Sequence, residues 1–251
     1  MKHLFTPEGE AALQTILAVR PLLAFDFDGT LAPIVLHPDD ARVPPAVAQH
    51  LAAIARELPV AILTGRSVAD VMPRLGFAPR YVIGNHGAED PAAAAPAAGD
   101  ALNALRVRIA GDPGVAAAGV VVEDKGLSLS MHYRTAPHPQ AALASIDALL
   151  VGIEPALARF GGKFVVNVVA ADLPDKGDAL IELVARAGAS AAMFVGDDVT
   201  DEAVFRRARP PWLTVRIGRD EPQSAAMFGL DSEAELVTVL ARLAAMRRPP
   251  G

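Results

Sequence analysis

The sequence predicts an α/β fold in which a parallel β-sheet is interrupted by an inserted α+β segment. Short apolar runs alternate with segments of helical apolar spacing over residues 22–84 and again after residue 176. This alternation is typical of a parallel sheet covered by helices on both faces. The intervening residues contain a β-hairpin pattern instead. We therefore expect a core domain from residues 1–89 and 171–251, and an inserted domain from residues 90–170.

Composition indicates a globular protein. Hydrophobic residues make up 52% of the 251 residues and charged residues 21%. The net charge of −6 and the lack of a basic stripe argue against nucleic-acid binding. The absence of cysteine excludes disulfides and zinc-thiolate sites. Since neither a signal core nor a membrane-spanning run is evident, we expect a cytoplasmic protein without membrane or nucleic-acid partners. We also expect a monomer.

The first elements follow from capping signals and apolar spacing. Thr6-Pro7-Glu8 is typical of a helix N-terminus, and the helix is expected to run to about Pro21. Pro73 lies inside the third predicted helix and is expected to kink it. The other predicted elements are a buried strand from Leu22 into Asp26, a loop over 33–45 and a helix that buries Val47, Leu51, Ile54 and Leu58. They continue with a strand over 59–63, a helix that buries Val68, Val71, Met72 and Leu75, and a strand over 80–84.

The pattern changes after residue 90. Residues 91–99 are rich in alanine and proline and are predicted to form a connector. Asp124-Lys125-Gly126 predicts a tight turn between strands over 120–123 and 127–134. In the second strand, Leu127, Leu129, Met131 and Tyr133 are expected on one face, and Ser128, Ser130, His132 and Arg134 on the other. A helix from Pro139 and a strand over 163–169 complete the segment.

The parallel pattern resumes near Lys176. A helix is expected there that buries Leu180, Ile181 and Val184 and ends at Gly188. Strands are expected over 192–196 and 213–217, followed by a last helix capped by Ser232 and Glu235 that buries Leu236, Val239, Leu240 and Leu243.

Two carboxylates stand at the end of the first buried strand, in Asp26-Phe27-Asp28-Gly29-Thr30. Burying carboxylates costs free energy unless a cation or strong donors pair them. Two like charges about 4 Å apart repel by about 4 kcal/mol at an effective dielectric constant of about 20. A hard divalent cation removes that cost, and Mg²⁺ prefers carboxylate oxygens and water. Taken alone, the segment also fits a turn after a solvated strand end.

Further polar residues follow predicted strands or precede a predicted helix: Thr64-Gly65-Arg66, Asn85-His86, Lys176 and Gly196-Asp197-Asp198-Val199-Thr200-Asp201. In parallel sheets, ligands bind beyond the carboxyl ends of the strands, where Asp26, Asp28 and Thr64 are expected. Adjacent acids such as Asp197 and Asp198 after an apolar strand are costly without a cation. Taken singly, each of these residues also fits a structural role, such as a strand end, an exposed lysine or a first-turn acid.

Together, the segments around Asp26, Thr64, Lys176 and Asp197 resemble the haloacid dehalogenase superfamily of phosphohydrolases in their order and residue types. A narrower similarity is to trehalose-6-phosphate phosphatases. It rests on Asp26-Phe27-Asp28-Gly29-Thr30-Leu31-Ala32-Pro33, Gly196-Asp197-Asp198-Val199-Thr200-Asp201-Glu202, and Glu123-Asp124-Lys125-Gly126 with His132-Tyr133-Arg134. The resemblance implies a Rossmann-like parallel-sheet core with an α+β cap of C2B type. It also implies Mg²⁺-dependent hydrolysis of a small sugar phosphate, trehalose 6-phosphate, to trehalose and phosphate.

The resemblance assigns roles to these residues. Asp26 would attack phosphorus to form an aspartyl phosphate, and Asp28 would act as general acid and base. Thr64 and Lys176 would stabilise the negative charge of the phosphoryl group. The expected metal ligands are Asp26, Asp28 (through its main-chain carbonyl), Asp197, Asp198 and Asp201, with the last two in supporting positions. The expected substrate-binding residues are Gly29, Thr30, Gly65, Arg66, Asn85, His86, Glu123, Lys125, His132 and Arg134.

One segment departs from the family pattern. The family commonly carries a glutamate, a basic residue and a proline on the strand before the lysine, whereas this chain has Asn167-Val168-Val169-Ala170. The departure keeps open a different sugar phosphate, such as sucrose phosphate or mannosylglycerate phosphate. A sugar phosphomutase also fits, and the polar cap residues also fit the wet face of a small sheet. A binding protein without turnover is disfavoured because both Asp26 and Asp28 are present.

Overall fold

The computed structural model describes residues 1–94, 96, 99–153, 155–162 and 164–245. The chain divides into two compact units. The core unit comprises residues 1–91 and 174–251, and the inserted unit comprises residues 92–173. Among the described residues, no helix is both long enough and apolar enough to cross a membrane.

The elements alternate between strands and helices as expected for an α/β chain. The strands are β1 (Lys2–His3), β2 (Leu22–Phe25), β3 (Val60–Leu63), β4 (Tyr81–Ile83), β5 (Val121–Asp124), β6 (Ser128–His132), β7 (Leu157–Gly162), β8 (Val165–Ala170), β9 (Ala192–Gly196), β10 (Leu213–Ile217) and β11 (Phe228–Leu230). The helices are α1 (Pro7–Ala18), α2 (Pro45–Ile54), α3 (Val68–Val71), α4 (Asp100–Ala110), α5 (Pro113–Ala117), α6 (Pro139–Leu149), α7 (Lys176–Arg186), α8 (Glu202–Arg207) and α9 (Glu233–Ala245). Short 3₁₀ turns cover Pro38–Asp40, Met72–Arg74, Asn85–Gly87 and Val199–Asp201.

The core unit is built on a sheet with the strand order β1-β11-β10-β9-β2-β3-β4. Its paired strands are parallel, which confirms the predicted α/β class. Every residue of β2, β3 and β9 is buried, as their continuous apolar runs predict for strands covered on both faces. Since β9, β2, β3 and β4 are parallel neighbours, their carboxyl ends lie along one edge of the sheet.

Two helices of the core unit differ from the predicted pattern. The helix after Ser67 ends at Val71 and continues as a 3₁₀ turn, because Pro73 has no N–H for a helical hydrogen bond. Met72 is consequently 48% exposed instead of buried. In α7, Ile181 is also exposed, although it was predicted to be buried. Leu183 occupies the buried face instead.

The inserted unit contains an antiparallel sheet with the order β5-β6-β8-β7. The predicted hairpin is present, with Val121 opposite His132 and Asp124 opposite Leu129. Leu129 and Met131 are buried among apolar residues of α4, α5 and α6. Ser128 and Ser130 are also buried.

Several elements of the inserted unit carry no clear sequence signal. Helix α4 fully buries only Leu102 and Leu105, which is too narrow an apolar stripe to predict it, and α5 is short. Strand β7 ends in two glycines, which are unfavourable in strands. The described residues do not include residues 95, 97 and 98 of the predicted connector. They also do not include residue 163, the first of the predicted strand over 163–169.

Candidate active site

The carboxyl edge of the core sheet brings together the acids predicted from separate parts of the sequence. Asp26 follows β2 and Asp197 follows β9, and the Asp26 N–H donates to the Val195 carbonyl at 2.9 Å. Lys176, the first residue of α7, is buried and donates from Nζ to Asp26 Oδ1 at 2.7 Å and to Asp201 Oδ1 at 2.8 Å. The chain thus places one buried ammonium between two buried carboxylates.

The start of α7 is fixed by a capping arrangement that sequence reasoning missed. Asp175 accepts hydrogen bonds from the N–H groups of Gly177 and Asp178 at 2.8 and 3.0 Å. Arg207 of α8 binds the same carboxylate at 2.6 Å. An aspartate directly before a helix is a recognisable capping signal, so Asp175 could have been found. Its effect is to hold the backbone from which Lys176 extends.

Three carboxylates converge beside Lys176. Oxygen atoms of Asp26, Asp197 and Asp201 lie within 4.8 Å of one another, and all three side chains are buried. Asp201 Oδ2 accepts from the N–H groups of Asp197 and Asp198 at 2.8 and 2.9 Å. Three carboxylates beside one ammonium leave a net charge of −2 when all four groups are ionised. This donor set, rich in oxygen and short of positive charge, fits a divalent cation.

The pKa shifts of Asp26 and Lys176 are consistent with this excess of negative charge. Burial raises the pKa of the Asp26 carboxyl well above its ordinary value; Lys176 opposes the rise, and the carboxylates of Asp201 and Asp197 add to it. Burial alone would lower the pKa of Lys176, but Asp201 and Asp26 outweigh burial and raise it. The neighbouring carboxylates therefore favour the charged form of Lys176, whereas burial and the same carboxylates disfavour the charged form of Asp26.

Gly29 and Thr30 shape the other side of the cluster. Gly29 adopts a left-handed conformation with φ +81°, and a Cβ there would overlap the Asp197 carboxylate. Thr30 Oγ1 donates to Asp197 Oδ1 at 3.2 Å. The predicted ligand Asp198 accepts instead from the Val199 N–H at 2.8 Å and caps the following 3₁₀ turn. Of the predicted metal-binding carboxylates, the structure thus gathers those of Asp26, Asp197 and Asp201.

The Asp28 carboxylate is bound by Arg66. Arg66 Nε donates to Asp28 Oδ2 at 2.7 Å and Nη2 donates to Oδ1 at 2.8 Å, a bidentate pair. The guanidinium also contacts the Phe27 ring at 5.3 Å and donates to Asp70 at 2.7 Å. Asp70 in turn binds Arg74 at 2.5 Å. Sequence reasoning did not connect Asp70 and Arg74 with the site, since α3 shows no pattern that links them to Asp28.

Thr64, Asn85 and His86 meet at the ends of β3 and β4. Thr64 is fully buried, and its Oγ1 accepts from the Arg66 N–H at 3.1 Å. The His86 N–H donates to the Thr64 carbonyl at 2.9 Å, and the His86 ring packs against Gly65. A threonine hydroxyl that accepts one hydrogen bond still has its own proton to donate to an anion.

The predicted residues of the inserted unit form a group of their own. Glu123 Oε2 lies 2.9 Å from His132 Nε2 and 3.7 Å from Lys125 Nζ. Ser130 stands between Glu123 and Asn167 in the sheet register, and its hydroxyl donates to Asn167 Oδ1 at 2.7 Å. Arg134 follows β6 and is half-buried.

Residues 24–103 and 115–225 match the model of the trehalose-phosphatase family. The chain belongs to this family. Trehalose-phosphate phosphatase of Mycolicibacterium paratuberculosis is 35% identical over 248 residues, which cover 89% of this chain and 62% of that protein. The corresponding protein of Mycobacterium tuberculosis is 31% identical over 253 residues, with coverage of 93% and 63%. The chain therefore spans less than two thirds of the length of these relatives.

Solved structures agree with the family assignment at the level of the fold. The C-terminal domain of C. albicans trehalose-6-phosphate phosphatase superimposes with a TM-score of 0.76 at 20% identity, covering 95% of this chain and 97% of that one. A haloacid dehalogenase-like hydrolase from B. subtilis superimposes with a TM-score of 0.62 at 16% identity, with coverage of 90% and 99%. The trehalose-phosphatase family member described here thus has the haloacid dehalogenase fold, which confirms the resemblance seen in its motifs.

Proposed function

We propose that this trehalose-phosphatase family member is a Mg²⁺-dependent phosphatase that hydrolyses trehalose 6-phosphate to trehalose and phosphate. The observation that carries the proposal is the buried cluster of Asp26, Lys176, Asp197 and Asp201 at the carboxyl edge of the core sheet. The names of the relatives support the choice of substrate. The predicted cytoplasmic location and monomeric state stay predictions.

Asp26 is the proposed nucleophile. Lys176 holds its Oδ1, whereas Oδ2 accepts no hydrogen bond from the described residues and is the oxygen proposed to attack phosphorus. The new Oδ2–phosphorus bond forms as the bond from phosphorus to the sugar oxygen breaks, which gives an aspartyl phosphate. Water then attacks the same phosphorus and releases phosphate and free Asp26. Two moderate barriers replace one very high barrier.

Asp28 is the proposed proton carrier. It gives a proton to the departing sugar oxygen and takes one from the attacking water. Both of its oxygens accept a hydrogen bond from Arg66, and each keeps a second lone pair that can carry that proton. Arg66 is therefore proposed to hold Asp28 before substrate binds, in addition to its predicted place in the substrate site.

Mg²⁺, bound by Asp26, Asp197 and the Asp28 main-chain carbonyl, would neutralise negative charge on the phosphoryl oxygens. Asp201 is proposed to support this site, because Lys176 and two backbone N–H groups already occupy its oxygens. Asp198 supports it from the adjacent turn. The Thr64 hydroxyl and Lys176 are proposed to bind the phosphoryl group, where charge develops in the transition state.

The remaining predicted residues are proposed to bind substrate. Gly29, Thr30, Gly65, Asn85 and His86 would contact the phosphate side, and Glu123, Lys125, His132 and Arg134 would bind sugar hydroxyls. A second sugar phosphate remains a candidate because Asn167, bonded to Ser130, stands where the family commonly has a glutamate. An amide and a carboxylate differ in charge and in donor pattern, so they favour different hydroxyl arrangements.

A panel of sugar phosphates tests the proposal. Phosphate release is measured for trehalose 6-phosphate, sucrose 6-phosphate and mannosylglycerate phosphate, each with Mg²⁺ and with EDTA. The expected result is the highest kcat/KM for trehalose 6-phosphate and loss of turnover with EDTA. Preference for another sugar phosphate would overturn the substrate, and phosphate transfer to an added sugar acceptor would indicate a mutase.

A further inference from the structure

Two backbone hydrogen bonds join the two ends of the loop after β4. The Gly84 N–H donates to the Glu89 carbonyl at 2.9 Å, and the Glu89 N–H donates to the Gly84 carbonyl at 3.1 Å. Between these bonds, Asn85, His86 and Gly87 adopt φ values of +47°, +60° and +119° in succession. Non-glycine residues rarely adopt positive φ, and such conformations persist only where the surroundings enforce them.

The Glu89 side chain provides part of that enforcement. Its Oε2 accepts from Asn85 Nδ2 at 2.8 Å and from the Val68 N–H at 2.9 Å. The space it enters is open because residue 84 is glycine. A Cβ there would lie 2.5 Å from Glu89 Oε2 and 2.8 Å from both the Arg66 carbonyl oxygen and the Val68 nitrogen. One carboxylate oxygen therefore joins the loop to the start of α3.

Glu89 thereby acts on the turn that carries proposed catalytic groups. Val68 lies two positions after Arg66, the last residue of Thr64-Gly65-Arg66. The loop backbone binds the same turn, since the Asn85 N–H donates to the Arg66 carbonyl at 2.8 Å and the His86 N–H to the Thr64 carbonyl at 2.9 Å. Loss of the Glu89 carboxylate would therefore remove two of the hydrogen bonds that fix the backbone from which the Thr64 hydroxyl and the Arg66 guanidinium extend.

We propose that Glu89 is a positioning residue for phosphoryl transfer that holds the Thr64–Arg66 turn through Val68 and Asn85. This inference rests on the proposed phosphatase function. Glu89 Oε1 accepts no hydrogen bond within the described part of the chain. A glutamine with its oxygen at the Oε2 position can therefore accept both bonds, whereas a shorter aspartate cannot reach both donors.

Variants at position 89 test the proposal in the full chain with Mg²⁺. We expect Glu89→Ala and Glu89→Asp to lower kcat/KM for trehalose 6-phosphate and for p-nitrophenyl phosphate by about tenfold or more, mainly through kcat. Glu89→Gln should stay within about threefold of wild type, because charge assistance is lost but both bonds remain. Glu182→Ala is the matched control, since Glu182 is exposed on the helix that carries Lys176, and it should leave kcat/KM unchanged.

The relative activities of the three Glu89 variants distinguish a positioning role from other roles. An active Glu89→Asp with an inactive Glu89→Gln would overturn the proposal in favour of a role for charge alone. A lowered Tm with unchanged kcat/KM of the folded fraction in both Glu89→Ala and Glu89→Asp would overturn it in favour of a purely structural role. Glu89→Asp keeps the test available if Glu89→Ala does not fold.

A readout without turnover separates this proposal from the proposed function. If wild type releases phosphate from neither ester, the phosphatase proposal fails. The side-chain amide resonances of Asn85 in ¹H–¹⁵N spectra still report on Glu89. They should shift in Glu89→Asp and stay near their wild-type positions in Glu89→Gln, and identical spectra in all variants would overturn the positioning role.

Discussion

The acid cluster of the core unit and the polar group of the inserted unit hold their charges in different ways. Asp26, Lys176 and Asp201 are at most 4% exposed, and hydrogen bonds of 2.7 and 2.8 Å join them. In the inserted unit, the Glu123 side chain is 44% exposed, and it lies 2.9 Å from His132 Nε2 and 3.7 Å from Lys125 Nζ. Fixed charges in a desolvated site stabilise a transition state strongly, whereas exposed groups adapt to a ligand at little cost. The comparison supports the proposed roles, which are chemistry for the core unit and recognition for the inserted unit.

The largest effect is expected at the nucleophile. Asp26→Asn should lower kcat by about 10⁴-fold or more, because an amide oxygen is a poor nucleophile toward phosphorus. Circular dichroism should be unchanged, since Lys176 keeps its bond to Asp201. Asp220→Asn, at an exposed position, is the control and should retain full activity. Turnover by Asp26→Asn near the wild-type rate would contradict covalent catalysis.

Removing one charge from each region should change the free energy of unfolding by different amounts. Lys176→Met should lower the free energy of unfolding by about 3–5 kcal/mol in EDTA, because it leaves buried carboxylates without their cation. Glu123→Gln should change it by less than about 0.5 kcal/mol and raise KM for trehalose 6-phosphate more than it lowers kcat. Urea unfolding and steady-state kinetics measure both. Equal losses of stability in Lys176→Met and Glu123→Gln would contradict the difference between the two regions.

Metal binding should stabilise only through the core cluster. At a Mg²⁺ concentration about 100 times its Kd, the free energy of unfolding should rise by about 2.7 kcal/mol. Asp197→Asn should abolish most of this gain, and Glu123→Gln should leave it intact. Thermal unfolding across a Mg²⁺ titration provides the measurement. A gain that survives in Asp197→Asn would place the cation elsewhere.

The smallest expected effect is an acid-dependent loss of stability that both regions share. Burial works to raise the pKa of Asp70, but Arg74 and Arg66 lower it overall, and Arg106 lowers the pKa of Asp124 in the inserted unit. A carboxyl group with a lowered folded-state pKa contributes stability above its unfolded pKa of about 3.9, and loses it as pH falls through the folded value.

Solvent screening limits each of these contributions to at most about 1 kcal/mol. Asp70→Asn and Asp124→Asn should each flatten the fall in stability below pH of about 4. Asp147→Asn serves as a comparison for an exposed arginine pair, with Arg159 at 2.6 Å. The free energy of unfolding, measured at successive pH values, tests this prediction. If it falls with acid as steeply in both variants as in wild type, the prediction is wrong.

Much of the core unit could be predicted from local pattern. The runs in β2, β3 and β9 are apolar throughout and short, and Thr6 with the proline at position 7 marks a helix start that the structure confirms. Strands β1 and β11 could not be predicted, because two or three residues carry no periodicity. Their pairing depends on partners far away in the sequence.

The sequence pointed to the acids, the lysine and the threonine of the candidate site through the order of four motifs that together resemble one family. For the acids alone there is also a physical signal, because buried charge after an apolar strand is costly. Local sequence also determined the alternation of strands and helices. Only the tertiary structure decided which groups pair: Lys176 with Asp26 and Asp201, Arg66 with Asp28, and Glu89 with Asn85. Such pairs join residues up to 150 positions apart, and their geometry depends on how strands and helices pack rather than on the spacing of residues along the chain.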